Sequence, residues 1–318
     1  MQLIKYFVTV FATVFLIVWA ASWFTNRGLQ RSHVDFYGTM NAASDTSKQT
    51  NFAIFGSSRA LVHLDTRIID STTGLISYNY GLNAASIKTC FNTMLYALQF
   101  QKHLKLAMLN IDFNIFDVSA DPYKDAYYYP FEKKLSGFLM NDSTNSRFIH
   151  KLKFCDISLY DDYTKYAAID GWLRPQRQVD GSYNGYTPQN TDYDFKVYTT
   201  NSSEKEQIAV YDSSYKQLND IITMCKSKGI QLVFVIAPYY KECSPDKYYS
   251  NYHNLLQKTR QIAIQNDVIF LDYTVIPLSS DKSFFYNCNH MNSKGARIYT
   301  LIVADIINNL LKARKFPK

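Results

Sequence analysis

Asn51-Phe52-Ala53-Ile54-Phe55-Gly56-Ser57-Ser58-Arg59 sets a short apolar run against a turn of small residues. Such a run, closed by glycine and serine, predicts a buried strand that ends at Gly56 and leads into a helix. Ser58 then stands just past the strand's carboxyl end. More than two hundred residues later, Asn287-Cys288-Asn289-His290-Met291-Asn292-Ser293-Lys294-Gly295-Ala296 puts a histidine immediately before the last amphipathic segment. A serine and a histidine on two loops are the parts of a nucleophile and its base.

Working outward from these stretches, the chain alternates strand and helix signals. Further strands are expected at Ile76 to Tyr80, Leu104 to Ile111, Gln231 to Ile236 and Val268 to Leu271. Ile87, Phe91, Leu95 and Leu98 recur at helical spacing. A second helix stops near Lys228-Gly229, and a third covers Asn251 to Gln265. Asn292 or Ser293 is expected to cap the final helix, with Ile298, Ile302, Ile306 and Leu310 as its buried stripe. This order predicts a mostly parallel sheet covered on both faces, whose site lies at the strands' carboxyl ends. Ser58 follows the first strand, Gly81 the second and Asn114 the third, and His290 lies beyond the last.

Composition excludes some classes. Charged residues are 19% of the 318 and aromatics 16%, which is a folded and not a disordered balance. The net charge of +7 is spread along the chain without a basic, aromatic-interleaved cluster, so nucleic acid is not an expected partner. Five cysteines, Cys90, Cys155, Cys225, Cys243 and Cys288, lack metal-ligand spacing; no metal or cofactor is expected. One pair could form a disulfide outside the membrane, and the spacing does not choose it. Cys288 is expected to act sterically near His290.

Residues Tyr6 to Phe24 carry no charge, with Lys5 before them and Arg27 and Arg31 after. A helix of that length is about long enough for a hydrocarbon core of roughly 30 Å. Trp19 and Trp23 at its far end suit an uncleaved anchor, while Ala20-Ala21-Ser22 would suit a cleaved signal; the anchor is the preferred reading. The expected organisation is an anchor over 1–27, a polar spacer over 28–49 and an α/β domain over 50–318, with an insertion at about 117–200. The insertion holds Tyr127-Tyr128-Tyr129-Pro130, Trp172, Arg174 and Arg177. These residues would suit sugar binding, with Trp172 and Arg174 as candidate substrate contacts, or they pack as a structural subdomain.

Taken together, the blocks resemble the SGNH (GDSL-like) hydrolases. Gly56-Ser57-Ser58 is similar to the first block, with Ser58 as nucleophile and Ser57 where Asp is usual. Tyr78-Asn79-Tyr80-Gly81 is similar to the second, and Asp112-Phe113-Asn114 stands at the third without its glycine. Asn287-Cys288-Asn289-His290 matches the fourth, normally Asp-x-x-His, with Asn287 replacing Asp. The resemblance covers roughly residues 50–116 and 205–314 and is nearest to the membrane-anchored branch of DltD-like and alginate O-acetylation proteins. It implies a three-layer sandwich, Ser58, His290 and Asn287 as catalytic residues, and Gly81 and Asn114 in the oxyanion hole. It also implies an extracytoplasmic esterase or O-acyltransferase on an acylated cell-surface glycan, working with a membrane-bound O-acyltransferase. Asn287 leaves three outcomes open: an Asn-oriented enzyme, completion by Asp272 or Asp281, or a catalytically silent glycan-binding or scaffold component.

Overall fold

The computed structural model describes residues 1–134, 151–152, 155–175, 181–193 and 205–313; Arg177 and part of the expected insertion lie outside them. The helices are α1 (Gln2–Leu29), α2 (Asp35–Ser44), α3 (Ser58–His63), α4 (Thr66–Thr73), α5 (Ile87–Phe100), α6 (Asp162–Leu173), α7 (Asp212–Ser227), α8 (Pro245–Tyr248), α9 (Tyr252–Gln265) and α10 (Ser293–Lys312). The strands are β1 (Phe52–Phe55), β2 (Ser77–Asn79), β3 (Leu106–Asn110), β4 (Gln231–Ile236) and β5 (Ile269–Asp272). Two compact units result, Met1–Ala42 with Tyr123–Gln178, and Ala43–Pro122 with Val179–Lys318.

The second unit is an α/β fold built on one sheet in the order β2-β1-β3-β4-β5, with every pair parallel. Phe52 pairs with both Ser77 and Leu106, and Val233 with Ile269. β1, β3 and β4 are apolar on both faces, as a sheet covered on both sides requires. Phe52, Ile54, Leu106, Met108, Val233 and Val235 share one core with Tyr299, Val303, Ala304 and Ile307 of α10. α7 packs on β4 and on α5, where the Cys225 thiol meets Met94 Sδ at 3.7 Å. The strand order reverses between β1 and β3, and a crevice opens at the carboxyl edge of a sheet at such a point.

Asn292 caps α10 by accepting from the Lys294 and Gly295 N–H groups, as its sequence predicts. The buried stripe differs from the expected one. Ile298 and Ile302 are exposed, while Ala296, Tyr299, Thr300, Val303, Ala304 and Ile307 are buried. Small residues at 296, 300 and 304 let the helix axis come close, and Thr300 is needed there for hydrogen bonds to α3. A search for large apolar residues at i+4 therefore lands on the neighbouring stripe. Burying Val303 and Ile307 contributes about 1.5–3 kcal/mol each.

In the first unit, α1 is long and apolar enough to cross a membrane. Its 28 residues rise about 42 Å against a core of roughly 30 Å. Thr9 and Thr13 donate to the carbonyls of Lys5 and Thr9, so their hydroxyls are satisfied within the helix. Near its end α1 packs on α6, where a Cβ on Gly28 or Gly171 would collide with the facing backbone. The expected spacer is partly a helix: α2 buries Phe36, Tyr37 and Met40 completely. Tyr127 and Tyr128 of the insertion pack on Phe36, and Tyr127 also on Tyr37. These aromatics form a core with α2 within the first unit, where the subdomain reading expects them to pack against the α/β domain.

Candidate active site

Gly56 makes the turn that exposes Ser58. Its φ of +152° suits glycine, and a Cβ there would sit 2.8 Å from Ala60 Cβ and 2.9 Å from Asn110 Cβ. Ser57 then caps α3, its Oγ accepting from the Arg59 N–H at 3.3 Å and donating to the Asp112 carboxylate. Ser58 is the first helical residue and is half-buried at the crevice.

From the other side, the loop after β5 brings His290 Nε2 to 2.7 Å from Ser58 Oγ. His290 Nδ1 lies 3.0 Å from Asn287 Oδ1. The same Oδ1 accepts the N–H groups of Asn289 and His290, each at 2.9 Å. Those two backbone donors fix which end of the amide faces the ring, because a flipped amide would set its NH₂ against both. His290 must therefore carry its proton on Nδ1 and offer a lone pair at Nε2 to the Ser58 hydroxyl. That is the tautomer a serine nucleophile needs. Asn287 thus keeps the orienting part of a carboxylate's role and lacks the charge. Neither Asp272, which pairs with Arg260 at 2.7 Å, nor Asp281, which caps the Lys282–Phe284 turn, takes part.

Burial lowers the His290 pKa to about 4, with a smaller contribution from the Arg59 charge. The imidazole is the base only when neutral, so ester turnover should rise with pH through about 4 and stay flat across neutrality. Asn287→Asp should move that acid limb to higher pH, because a neighbouring carboxylate favours the imidazolium. It should also raise plateau turnover by about 10- to 100-fold, less than the roughly 10⁴-fold gap seen where Asn also imposes the wrong tautomer. A pH–rate profile of both forms checks the two effects together; an unmoved limb would separate Asn287 from the ring.

The oxyanion assignments need one correction. The Gly81 N–H donates to Asn79 Oδ1 at 3.0 Å and so is spoken for, and glycine is required there because a Cβ would meet Leu61 N at 2.6 Å. Three residues on, Ala84 lines the cavity with φ +54°, a conformation that is uncommon outside glycine. Among the described residues nothing accepts the N–H of Ala84 or of Ser58. Asn114 lines the same cavity. Ala84 was invisible in the sequence because alanine gives no sign of a positive φ.

The cavity of about 290 Å³ is lined by Ser58, His290, Ala84, Ala85, Phe113 and Ala120 among others, all from the second unit. Trp172 and Arg174 belong to the first unit. There the Trp172 indole stacks on Phe24 at 4.8 Å and donates to its carbonyl, and Arg174 lies 3.8 Å from Asp170. Among the described residues no group of three or more His, Cys, Asp or Glu is placed to hold a metal ion.

Two supports under the site carried no sequence signal. Arg59 and Asp112 form a buried ion pair at 2.8 Å, and the guanidinium also donates to the carbonyls of Ala237 and Pro238 and lies over the Tyr239 ring. The pair joins the ends of β1, β3 and β4 beneath Ser58. The second support is a disulfide between Cys243 and Cys288, which ties the His290 loop to the segment after β4. Cys288 is thus bonded and not merely steric.

No family model matches the chain, and no curated protein matches it. Among solved structures, a protein of Bacteroides fragilis NCTC 9343 described as a "putative acylhydrolase" superposes with a TM-score of 0.40 at 11% identity. The match covers 81% of this chain and 87% of that one. A likeness of that size supports no inference about activity.

Proposed function

We propose that this protein is a serine esterase or O-acyltransferase of SGNH type, with its catalytic domain held outside the cytoplasm by α1. The observation that carries the reading is the Ser58–His290–Asn287 relay, with both hydrogen bonds formed and the histidine tautomer fixed. Ser58 Oγ attacks the ester carbonyl and its proton passes to His290 Nε2. The N–H groups of Ser58 and Ala84, with the Asn114 amide, hold the negative charge on the carbonyl oxygen. Collapse expels the alcohol, which takes the proton from His290, and leaves an acyl group on Ser58. Water or a sugar hydroxyl then attacks, with His290 again the base, and the serine is released.

Alanines at 84, 85 and 120 with Phe113 bound a small space, which favours a short acyl group such as acetyl. The Cys243–Cys288 bridge supports an oxidising compartment, since such bonds are rare where thiols are kept reduced. An acylated glycan is the substrate that this placement and the block resemblance favour, and a membrane-bound O-acyltransferase is the partner for the transfer reaction. A fluorophosphonate probe tests the class: Ser58 should be labelled, and His290→Ala should abolish labelling. An unlabelled Ser58 in folded protein would favour the glycan-binding or scaffold alternative. The anchor is checked separately. Full-length chain should stay with membranes through high-salt and alkaline washes, because burial and not charge holds a spanning helix; release into the supernatant would refute it.

A further inference from the structure

His63 has no part in the relay just described, yet it is fully buried and its ring lies edge-on to His290 at 5.9 Å between centroids. Its Nε2 accepts the Met291 N–H at 2.9 Å. Since a backbone N–H can only donate, Nε2 must present a lone pair, and the proton sits on Nδ1. Nδ1 itself is buried and has no hydrogen-bond partner among the described residues. Burial, with Arg59 and His290 close by, holds the His63 pKa well below its ordinary value, which agrees with a neutral ring.

That arrangement is costly if stability were its purpose. An unsatisfied buried polar group costs about 1–3 kcal/mol, and a leucine would fill the space without it. What His63 does gain is a grip on the catalytic loop. α3 carries Ser58 at its first position and His63 at its last, and both side chains reach the same loop, one at His290 and the other at the next residue. The far end of α3 is itself held, because Thr300 of α10 donates to the His63 carbonyl while accepting the Asp65 N–H. Met291 in turn leads into Asn292, the cap of α10. Nucleophile, base loop and last helix are thus fixed to one another through a single histidine.

We propose that His63 is a positioning residue that sets the distance between Ser58 and His290 by holding the Met291 N–H. The proposal rests on the esterase reading for its catalytic consequence, but its geometric claim is independent of it. The decisive comparison is His63→Leu against His63→Gln in the full-length protein, since the Gln amide oxygen can accept where Nε2 does and Leu cannot. His63→Leu should lower kcat for an acetyl ester by about 10²-fold, the scale of a 1 Å misplacement, with KM little changed. His63→Gln should restore most of that loss. Equal kcat in all three forms, or an equal loss in both variants at similar Tm, would overturn the proposal.

Hydrogen exchange of the 286–292 backbone supplies a readout that needs no activity. It should quicken in His63→Leu and stay near the native rate in His63→Gln. Unchanged exchange in His63→Leu would refute the grip on Met291 whether or not the native protein proves to be an esterase. A native protein with no turnover but the expected exchange pattern would instead refute the esterase and uphold the positioning.

Discussion

Ser58→Ala should reduce hydrolysis of a simple acetyl ester by about 10³-fold or more, while the thermal midpoint stays within about 1 °C of the native value. The rate falls because the attacking oxygen is gone and neither His290 nor the oxyanion donors can replace it. The stability holds because Ser58 is half-buried at the first position of α3, whereas the capping oxygen of that helix belongs to Ser57. The contrast between neighbours makes the test specific. Ser57→Ala removes the cap and the Asp112 contact, and should lower stability by about 1 kcal/mol or more. Steady-state kinetics and thermal unfolding of the two variants separate the roles. Full turnover in Ser58→Ala would show that the catalytic assignment rests on the wrong residue.

What could be read in the sequence follows from which interactions are local. Short, mostly apolar runs marked β1, β3, β4 and β5, and the Ile76 to Tyr80 stretch marked β2, each to within two residues, because the pattern that defines a strand lies in its own neighbouring side chains. Asn292 was legible as a cap for the same reason, since its partners lie two and three residues away. Ser58 and His290 were placed at one edge by parallel-sheet topology, which sends strand ends there, whereas Asn287 was picked out only by the resemblance of its block to Asp-x-x-His. Ala84, the Arg59–Asp112 pair, His63 and the Cys243–Cys288 bridge were not. Each depends on a partner or a backbone angle that only the folded chain supplies, and a positive φ at alanine or a charge beside a strand leaves no periodic trace. The α2 helix was missed because its buried face, Phe36, Tyr37 and Met40, is brief and set among polar residues. Gly81 misled for a related reason: its required glycine reflects the close approach of Leu61, not a free N–H at the cavity.

Asp112→Ala should destabilise the protein by about 3–5 kcal/mol, because it leaves the buried Arg59 charge without its partner. Arg59 and Asp112 side chains are only 4% and 3% exposed, so solvent screens neither partner. The remaining contacts of the guanidinium, the carbonyls of Ala237 and Pro238 and the Tyr239 face, are neutral dipoles and a quadrupole that cannot balance a full charge. Removing both charges is a different case. Arg59→Met with Asp112→Leu should regain at least half of the lost stability, since apolar groups of similar volume often replace a buried pair at little cost. Activity should not return with it. The pair joins the three strand ends under Ser58, and the double variant still leaves Ser57 Oγ without its acceptor and the β4 end without its cation. Unfolding measured by denaturant for both variants, beside turnover of an acetyl ester, distinguishes the outcomes. A loss under about 1 kcal/mol in Asp112→Ala, or full activity in the double variant, would mean that the ion pair does not hold the catalytic edge together.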